Sequence, residues 1–161
     1  MNITYEAINM DNNKDLKTAI EKELEMCAKY PYYKCTLYYQ NDIEHQKIKT
    51  IESIIKQIVQ ERYGCIVDHL RLNARIYYNV DFRNHSRFYA TPIYEGTRGL
   101  RNHHSLVDVE ISQDISRNII HHSLIGANMY DDVFGDRGRM IEDQDKNHFG
   151  KVTDVNINIS T

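Results

Sequence analysis

Hydrophobic residues recur at helical spacing in two stretches of the first half of the chain. Within residues 13–28, apolar side chains three or four positions apart share one helical face: Leu16, Ala19, Ile20, Leu24 and Cys27. Within residues 42–62 the same spacing gives a second apolar stripe: Ile48, Ile51, Ile55, Ile58 and Val59. Both stretches are therefore predicted to be helices that bury one face in a core.

Residues that favour helix ends bound both stretches. Asn12 or Asn13 can cap the first helix, and Pro31 ends it. For the second helix, Asn41 or Asp42 can form the N-cap, and Gly64 ends the helix.

Alternating or β-favouring patterns predict strands in the rest of the chain. The predicted strands cover residues 32–39, 65–67, 74–82, 87–94, 107–111 and 155–159. Residues 83–86 form a short polar hairpin loop, and residues 96–105 form a longer polar loop with two glycines. A third helix is predicted over residues 113–125 with Ser112 as its N-cap, and residues 127–150 are predicted to be loop.

This order of elements predicts the fold class. We expect one α+β domain over residues 1–161, with a mainly antiparallel sheet. Two N-terminal helices and one later helix should pack on that sheet. A chain of 161 residues is long enough to form one domain with a real core.

Charge is unevenly distributed along the chain, although the formal net charge is only −3. Residues 71–104 carry +4, whereas residues 105–161 carry −5. The middle of the chain therefore suits an anionic partner, and the end suits a cationic or protein partner. The alternative is that these charges neutralise each other within the fold.

The cysteines and the absence of apolar segments indicate an intracellular protein. Cys27, Cys35 and Cys65 are odd in number and lack the spacing of metal ligands, so we expect them to be reduced. Neither a signal peptide nor an apolar stretch of about 20 residues is visible in the sequence. We expect the protein in the cytoplasm, including that of a host cell.

All the positive side chains of residues 71–104, histidines aside, are arginines, and six tyrosines and phenylalanines accompany them. The planar guanidinium grips carboxylates and phosphates in pairs and stacks on aromatic rings. The residues predicted to make the contacts are Arg83, Arg87, Arg98, Arg101, Tyr89 and Tyr94. They could pair with a protein partner, with nucleic acid or with a nucleotide, or they could form salt bridges inside the fold.

A second arrangement of residues could carry chemistry. Asp108 and Glu110 alternate on a predicted strand and so point to the same face. Together with His103 or His104 they could hold a metal ion that activates water for attack on a phosphodiester. The alternative is that these acids simply lie on the wet face of a half-buried strand.

No sequence motif fixes a reaction, so we assign no catalytic residue, cofactor or metal. The predicted function is that of a small non-enzymatic binding protein. Its partner is a protein, specifically a nucleic-acid-processing enzyme, and it acts through the arginine–tyrosine surface and the acidic C-terminal region. Such a protein could be encoded by a phage or mobile element as an anti-defence inhibitor, for instance an anti-CRISPR protein. The alternatives are a metal-dependent nuclease that uses the residues above, or direct binding of nucleic acid.

Overall fold

The computed structural model describes residues 2–40, 43–73, 77–93, 102–109 and 153–156. Their elements, in chain order, are β1 (Asn2–Ile8), α1 (Asn13–Lys29), β2 (Lys34–Tyr39), α2 (His45–Ile58), a π-helical turn (Val59–Tyr63), β3 (Val67–Asn73), β4 (Tyr77–Phe82), β5 (Arg87–Pro92), β6 (His104–Asp108) and β7 (Thr153–Asn156). The predicted third helix over residues 113–125 and most of the predicted final strand lie outside the described residues. The expected α+β character is confirmed for the part that is described.

The strands form one mixed sheet in the order β3-β4-β5-β2-β6-β1-β7. The pairs β5–β2, β2–β6 and β6–β1 are parallel, and the outer pairs β3–β4, β4–β5 and β1–β7 are antiparallel. The expectation of a mainly antiparallel sheet thus describes the two sides and fails at the centre. The reason is that α1 carries the chain across the sheet from β1 to β2, and a helical crossover joins parallel strands.

Helix α1 begins and ends close to the predicted positions. The side chain of Asn12 accepts hydrogen bonds from the backbone amides of Lys14 and Asp15 at 3.1 and 3.2 Å. This confirms Asn12 as the N-cap, which satisfies amides that have no partner within the helix. The helix ends at Lys29, two residues before Pro31.

Helix α2 starts three residues later than predicted. Its N-cap is Glu44, which makes no side-chain capping bond, so the predicted caps at residues 41 and 42 are wrong. Ile58 is its last α-helical residue, and the chain then widens into the π-helical turn before Gly64. The helical segment as a whole therefore ends at Gly64, as predicted.

Both helices pack on the same face of the sheet. Alternate strand residues meet their buried stripes in one hydrophobic core, which includes Cys35, Leu37, Tyr39, Tyr78, Val80, Phe88, Ala90 and Leu106 from the strands and Leu16, Ile20, Leu24, Ile51, Ile55 and Ile58 from the helices. The Tyr78 hydroxyl donates to the Ile48 carbonyl at 2.9 Å and thereby fixes α2 over β4. Among the described residues, no helix combines the length and hydrophobicity needed to cross a bilayer.

A polar network on the opposite face joins β2 to the residues before β6. The Thr36 hydroxyl donates to the Asn102 side-chain oxygen at 2.7 Å, and the Asn102 amide donates to the Tyr38 hydroxyl at 2.9 Å. All three residues are buried. Because a buried polar group is costly unless it is hydrogen-bonded, this network favours the observed register of β6 against β2.

Candidate functional site

A row of charged side chains crosses four strands on the face opposite the helices. Lys34 on β2 lies opposite Arg87 on β5, Arg87 lies opposite Asp81 on β4, and Asp81 lies opposite His69 on β3. Directly opposed residues on neighbouring strands point to the same face and interact. The row therefore places two cations side by side, next to an acid and a titratable imidazole.

This row lies in a groove of about 420 Å³. The groove is lined by Tyr32, Lys34, Asp68, His69, Asp81, Phe82, His85, Ser86 and Arg87. Its volume falls within the roughly 300–1,000 Å³ of typical ligand pockets. The groove can therefore hold a small molecule or a side chain and short segment of a partner.

Arg87 is held in place by an aromatic neighbour on its own strand. Its guanidinium lies 4.3 Å from the centre of the Tyr89 ring, and it donates to the Tyr89 hydroxyl at 2.6 Å. Both residues are half-buried. This cation–π contact restricts the rotamers of Arg87, so less conformational entropy is lost when the guanidinium binds an anion.

Lys34 experiences the positive charge of Arg87 directly. Partial burial lowers the pKa of its ammonium first, the neighbouring Arg87 lowers it further, and Asp81 raises it. Two adjacent cations repel each other, and an anion placed between them would relieve that repulsion. The electrostatics of the groove therefore favour a negatively charged ligand group.

The rim of the groove contains two backbone outliers. Tyr32 and His85 have positive φ angles of 65° and 70°, and their rings stack with centroids 5.0 Å apart. The left-handed region is uncommon for residues other than glycine, and it is unfavourable for a bulky side chain such as tyrosine. Strained positions of this kind are concentrated at functional sites, although the stacking and the tight hairpin also account for part of the geometry.

The predicted contact residues divide into three groups. Arg87 and Tyr89 come together at the groove. Arg83 lies in the β4–β5 loop, where its Nε is 3.2 Å from Asp68 Oδ1 and its side chain is 68% exposed. It thus forms a solvent-exposed ion pair within the fold. The other three, Arg98, Arg101 and Tyr94, lie outside the described residues.

Sequence reasoning missed Lys34, His69 and His85 as groove residues. Lys34 belongs to a tyrosine-rich segment that reads as an ordinary half-buried strand. Its position beside Arg87 depends on parallel pairing between strands 53 residues apart, which no local pattern reveals. A usable signal existed for His85, which stands in the predicted hairpin loop of residues 83–86.

The predicted metal-binding residues do not come together in the described part of the chain. Asp108 ends β6, four residues after His104, which corresponds to roughly 13 Å along a strand. His103 Nδ1 accepts a hydrogen bond from the Lys34 amide at 3.1 Å, and its ring stacks on Tyr33. Glu110 lies outside the described residues.

His104 instead contacts two other acids on the helix-facing side of the sheet. Its Nε2 lies 2.9 Å from Glu6 Oε2 on β1 and 3.5 Å from Glu23 Oε1 on α1. Glu23 is 1% exposed, and its second oxygen accepts a hydrogen bond from the Tyr33 hydroxyl at 2.7 Å. This buried cluster is on the opposite side of the sheet from the groove, so the two are separate sites.

Comparisons with known proteins find no match to this chain. No protein-family model matches the sequence, and neither the curated proteins nor the solved structures contain a match. Functional inference for this chain therefore rests on its own geometry.

Proposed function

We propose that this chain is a non-enzymatic binding protein whose groove takes an acidic group of a protein partner. The observation that carries the proposal is the pairing of Lys34 with Arg87 at the groove, where two cations face one another across neighbouring strands. A carboxylate bound between them would receive charge-assisted hydrogen bonds from both. Tyr89 fixes Arg87, and tyrosine and arginine are residues that commonly anchor protein interfaces.

The mixed charge of the groove supports a protein partner over a nucleic acid. Lys34 and Arg87 are accompanied there by the acids Asp68 and Asp81. A nucleic-acid strand presents a phosphate every few ångströms and needs a continuous run of cations. A single carboxylate of an acidic loop needs only the Lys34–Arg87 pair, and Asp81 can remain beside it.

We further propose that the partner is a nucleic-acid-processing enzyme and that the complex forms in the cytoplasm. The uneven charge along the sequence supports this step, because residues 105–161 carry −5 and could occupy a cationic nucleic-acid groove. The three free cysteines suit a reducing compartment. Under this proposal the protein acts as an inhibitor, of the anti-defence type encoded by phages and mobile elements.

The test pairs a groove variant with a matched control. The Lys34→Gln, Arg87→Gln double variant removes both cations of the groove. The Lys56→Gln, Arg62→Gln double variant removes one lysine and one arginine from the helical side, where each pairs with an acid. Each tagged protein is incubated with nuclease-treated lysate at several salt concentrations, and the captured partner is then purified for affinity measurement.

We expect the wild type and the control variant to capture the same protein, and the groove variant to bind it at least about tenfold more weakly. Affinity should fall only modestly as salt rises, because salt screens the attraction between the Lys34–Arg87 pair and a single carboxylate but releases no condensed counterions. Equal binding by the groove variant would refute the assignment of the groove. Recovery of nucleic acid alone, or a much steeper salt dependence, would favour direct nucleic-acid binding.

A further inference from the structure

Three side chains from distant parts of the sequence converge beneath helix α1. Glu6 comes from β1, Glu23 from α1 and His104 from β6, and one ligand atom from each lies within 4.8 Å of the other two. In the two contacts already described, His104 Nε2 lies near Glu6 Oε2 and near Glu23 Oε1. We propose that this cluster is a binding site for a divalent transition metal, with Zn²⁺ as the best-fitting ion.

The distances suit a metal held at its centre. Zn²⁺ bonds to histidine nitrogen and carboxylate oxygen at about 2.0–2.2 Å, and tetrahedral ligands at that radius are roughly 3.4 Å apart. The separations of His104 Nε2 from the two carboxylate oxygens, 2.9 and 3.5 Å, lie on either side of that value. Small shifts of the side chains would therefore be enough to accommodate the ion.

The charge of the cluster also favours a cation. Two carboxylates that act as metal ligands together contribute a charge of −2. A divalent cation bound by both carboxylates and a neutral imidazole brings the sum to zero. Glu23 is 1% exposed and His104 is 5% exposed, so an unbalanced charge at this position would be costly.

Neighbouring residues hold Glu23 in a suitable orientation. The Tyr33 hydroxyl donates to Glu23 Oε2, which leaves Oε1 directed at His104. The Cys35 thiol also hydrogen-bonds to Glu23. Hydrogen bonds of this kind fix the orientation of carboxylate ligands in metal sites.

One ligand of the cluster borders a cleft that could hold water. Glu6 lines a cleft of about 130 Å³ between β1 and the first half of α1, together with Asp15, Thr18, Ala19 and Lys22. One water molecule occupies about 30 Å³ in the liquid, so the cleft has room for a few of them. Three protein ligands, with a water molecule from this cleft as the fourth, would match the ligand count of an exchangeable zinc site.

The experiment measures zinc binding by purified, chelator-treated full-length protein, using calorimetry and thermal unfolding. Glu23→Gln removes the negative charge of one ligand, and the amide oxygen of the new side chain can still accept the hydrogen bond from the Tyr33 hydroxyl. Glu6→Gln does the same at the more accessible edge of the cluster, where the side chain is 12% exposed. Glu25→Gln, an exposed acid on the same helix, is the control.

We expect the wild type and Glu25→Gln to bind one Zn²⁺ that both ligand variants bind at least about tenfold more weakly. At a free zinc concentration 100 times Kd, Tm should rise by roughly 5–10 °C in the wild type and by much less in the variants. Without zinc, each ligand variant should still unfold in one cooperative thermal transition. That result would show that the loss of zinc binding does not come from unfolding.

Two results would overturn the proposal. One is zinc binding of equal affinity and stoichiometry in the wild type and both ligand variants, since the ion would then be held elsewhere, for example at the exposed Cys65. The other is no zinc response in the wild type, with Mn²⁺ also inactive. The cluster would then be a hydrogen-bonded structural arrangement.

Discussion

The two buried thiols make a quantitative prediction about stability at alkaline pH. Cys27 and Cys35 are 0% and 1% exposed. Burial raises the pKa of both thiols well above the ordinary range, and the negative charge of Glu23 raises each further. In the unfolded chain the same thiols ionise with a pKa of about 8.5.

The sign and size of the effect follow from this difference. Below pH 8.5 both states keep their thiol protons, and the full stability is present. Above it the unfolded chain loses protons that the folded protein retains, so the free energy of unfolding falls as pH rises towards the folded pKa. At pH 9.5 each thiol should lower it by about 1.4 kcal/mol, which gives about 3 kcal/mol for both.

The assay is urea-induced unfolding at pH 7.0, 8.5 and 9.5 under reducing conditions. The Cys27→Ala, Cys35→Ala double variant should start with lower stability but lose about 3 kcal/mol less between pH 7.0 and 9.5. Cys65→Ser, which changes an exposed thiol, should keep the pH dependence of the wild type. An identical loss of stability in the double variant and the wild type would refute the reasoning.

Other contacts described above also predict effects on stability, each measured by urea unfolding. Tyr33→Phe should lower the free energy of unfolding by about 1.5–3 kcal/mol because Glu23 loses a buried charged hydrogen bond, whereas Tyr32→Phe at the exposed rim should change little. Asn12→Ala should cost about 1 kcal/mol by removing a helix cap, and an unchanged value would contradict the capping role. Glu44→Ala is its control, since Glu44 makes no side-chain cap bond. Arg83→Ala should cost less than about 1 kcal/mol, because its ion pair with Asp68 is exposed.

The elements that could be predicted from the sequence are those whose signal is local. The apolar stripe of α1 and its cap at Asn12 lie within a few residues of each other, and the structure confirms them. The hairpin loop Arg83–Ser86 is also confirmed between β4 and β5. Helix periodicity and turn residues are read from neighbouring positions, so these predictions need no knowledge of tertiary structure.

Strand β1 and the start of β6 were both missed, for different reasons. In Asn2–Ile8 the local signal was present, because polar and apolar residues alternate from Asn2 to Ala7, but the segment was not assigned to a strand. The predicted strand at residues 107–111 begins three residues after the observed start of β6 at His104. His104 was assigned to a polar loop, whereas its burial follows from contacts with β1 and α1. The groove likewise depends on cross-strand register, which sequence patterns specify only weakly for a sheet with both faces partly polar.

The position of β6 between β1 and β2 has a consequence for protein synthesis. Glu6 pairs with Leu106, so 100 positions separate the partners, and β2 pairs with the other edge of the same strand. On a ribosome that adds roughly 5–20 residues per second, β1 would wait about 5–20 s for β6, and β2, which lies closer to β6 in the sequence, would wait roughly 3–14 s. During that interval both have unpaired edges able to pair with other chains. The nascent chain is thus most exposed to aggregation before residue 108 emerges, and chaperone binding should be concentrated in that window.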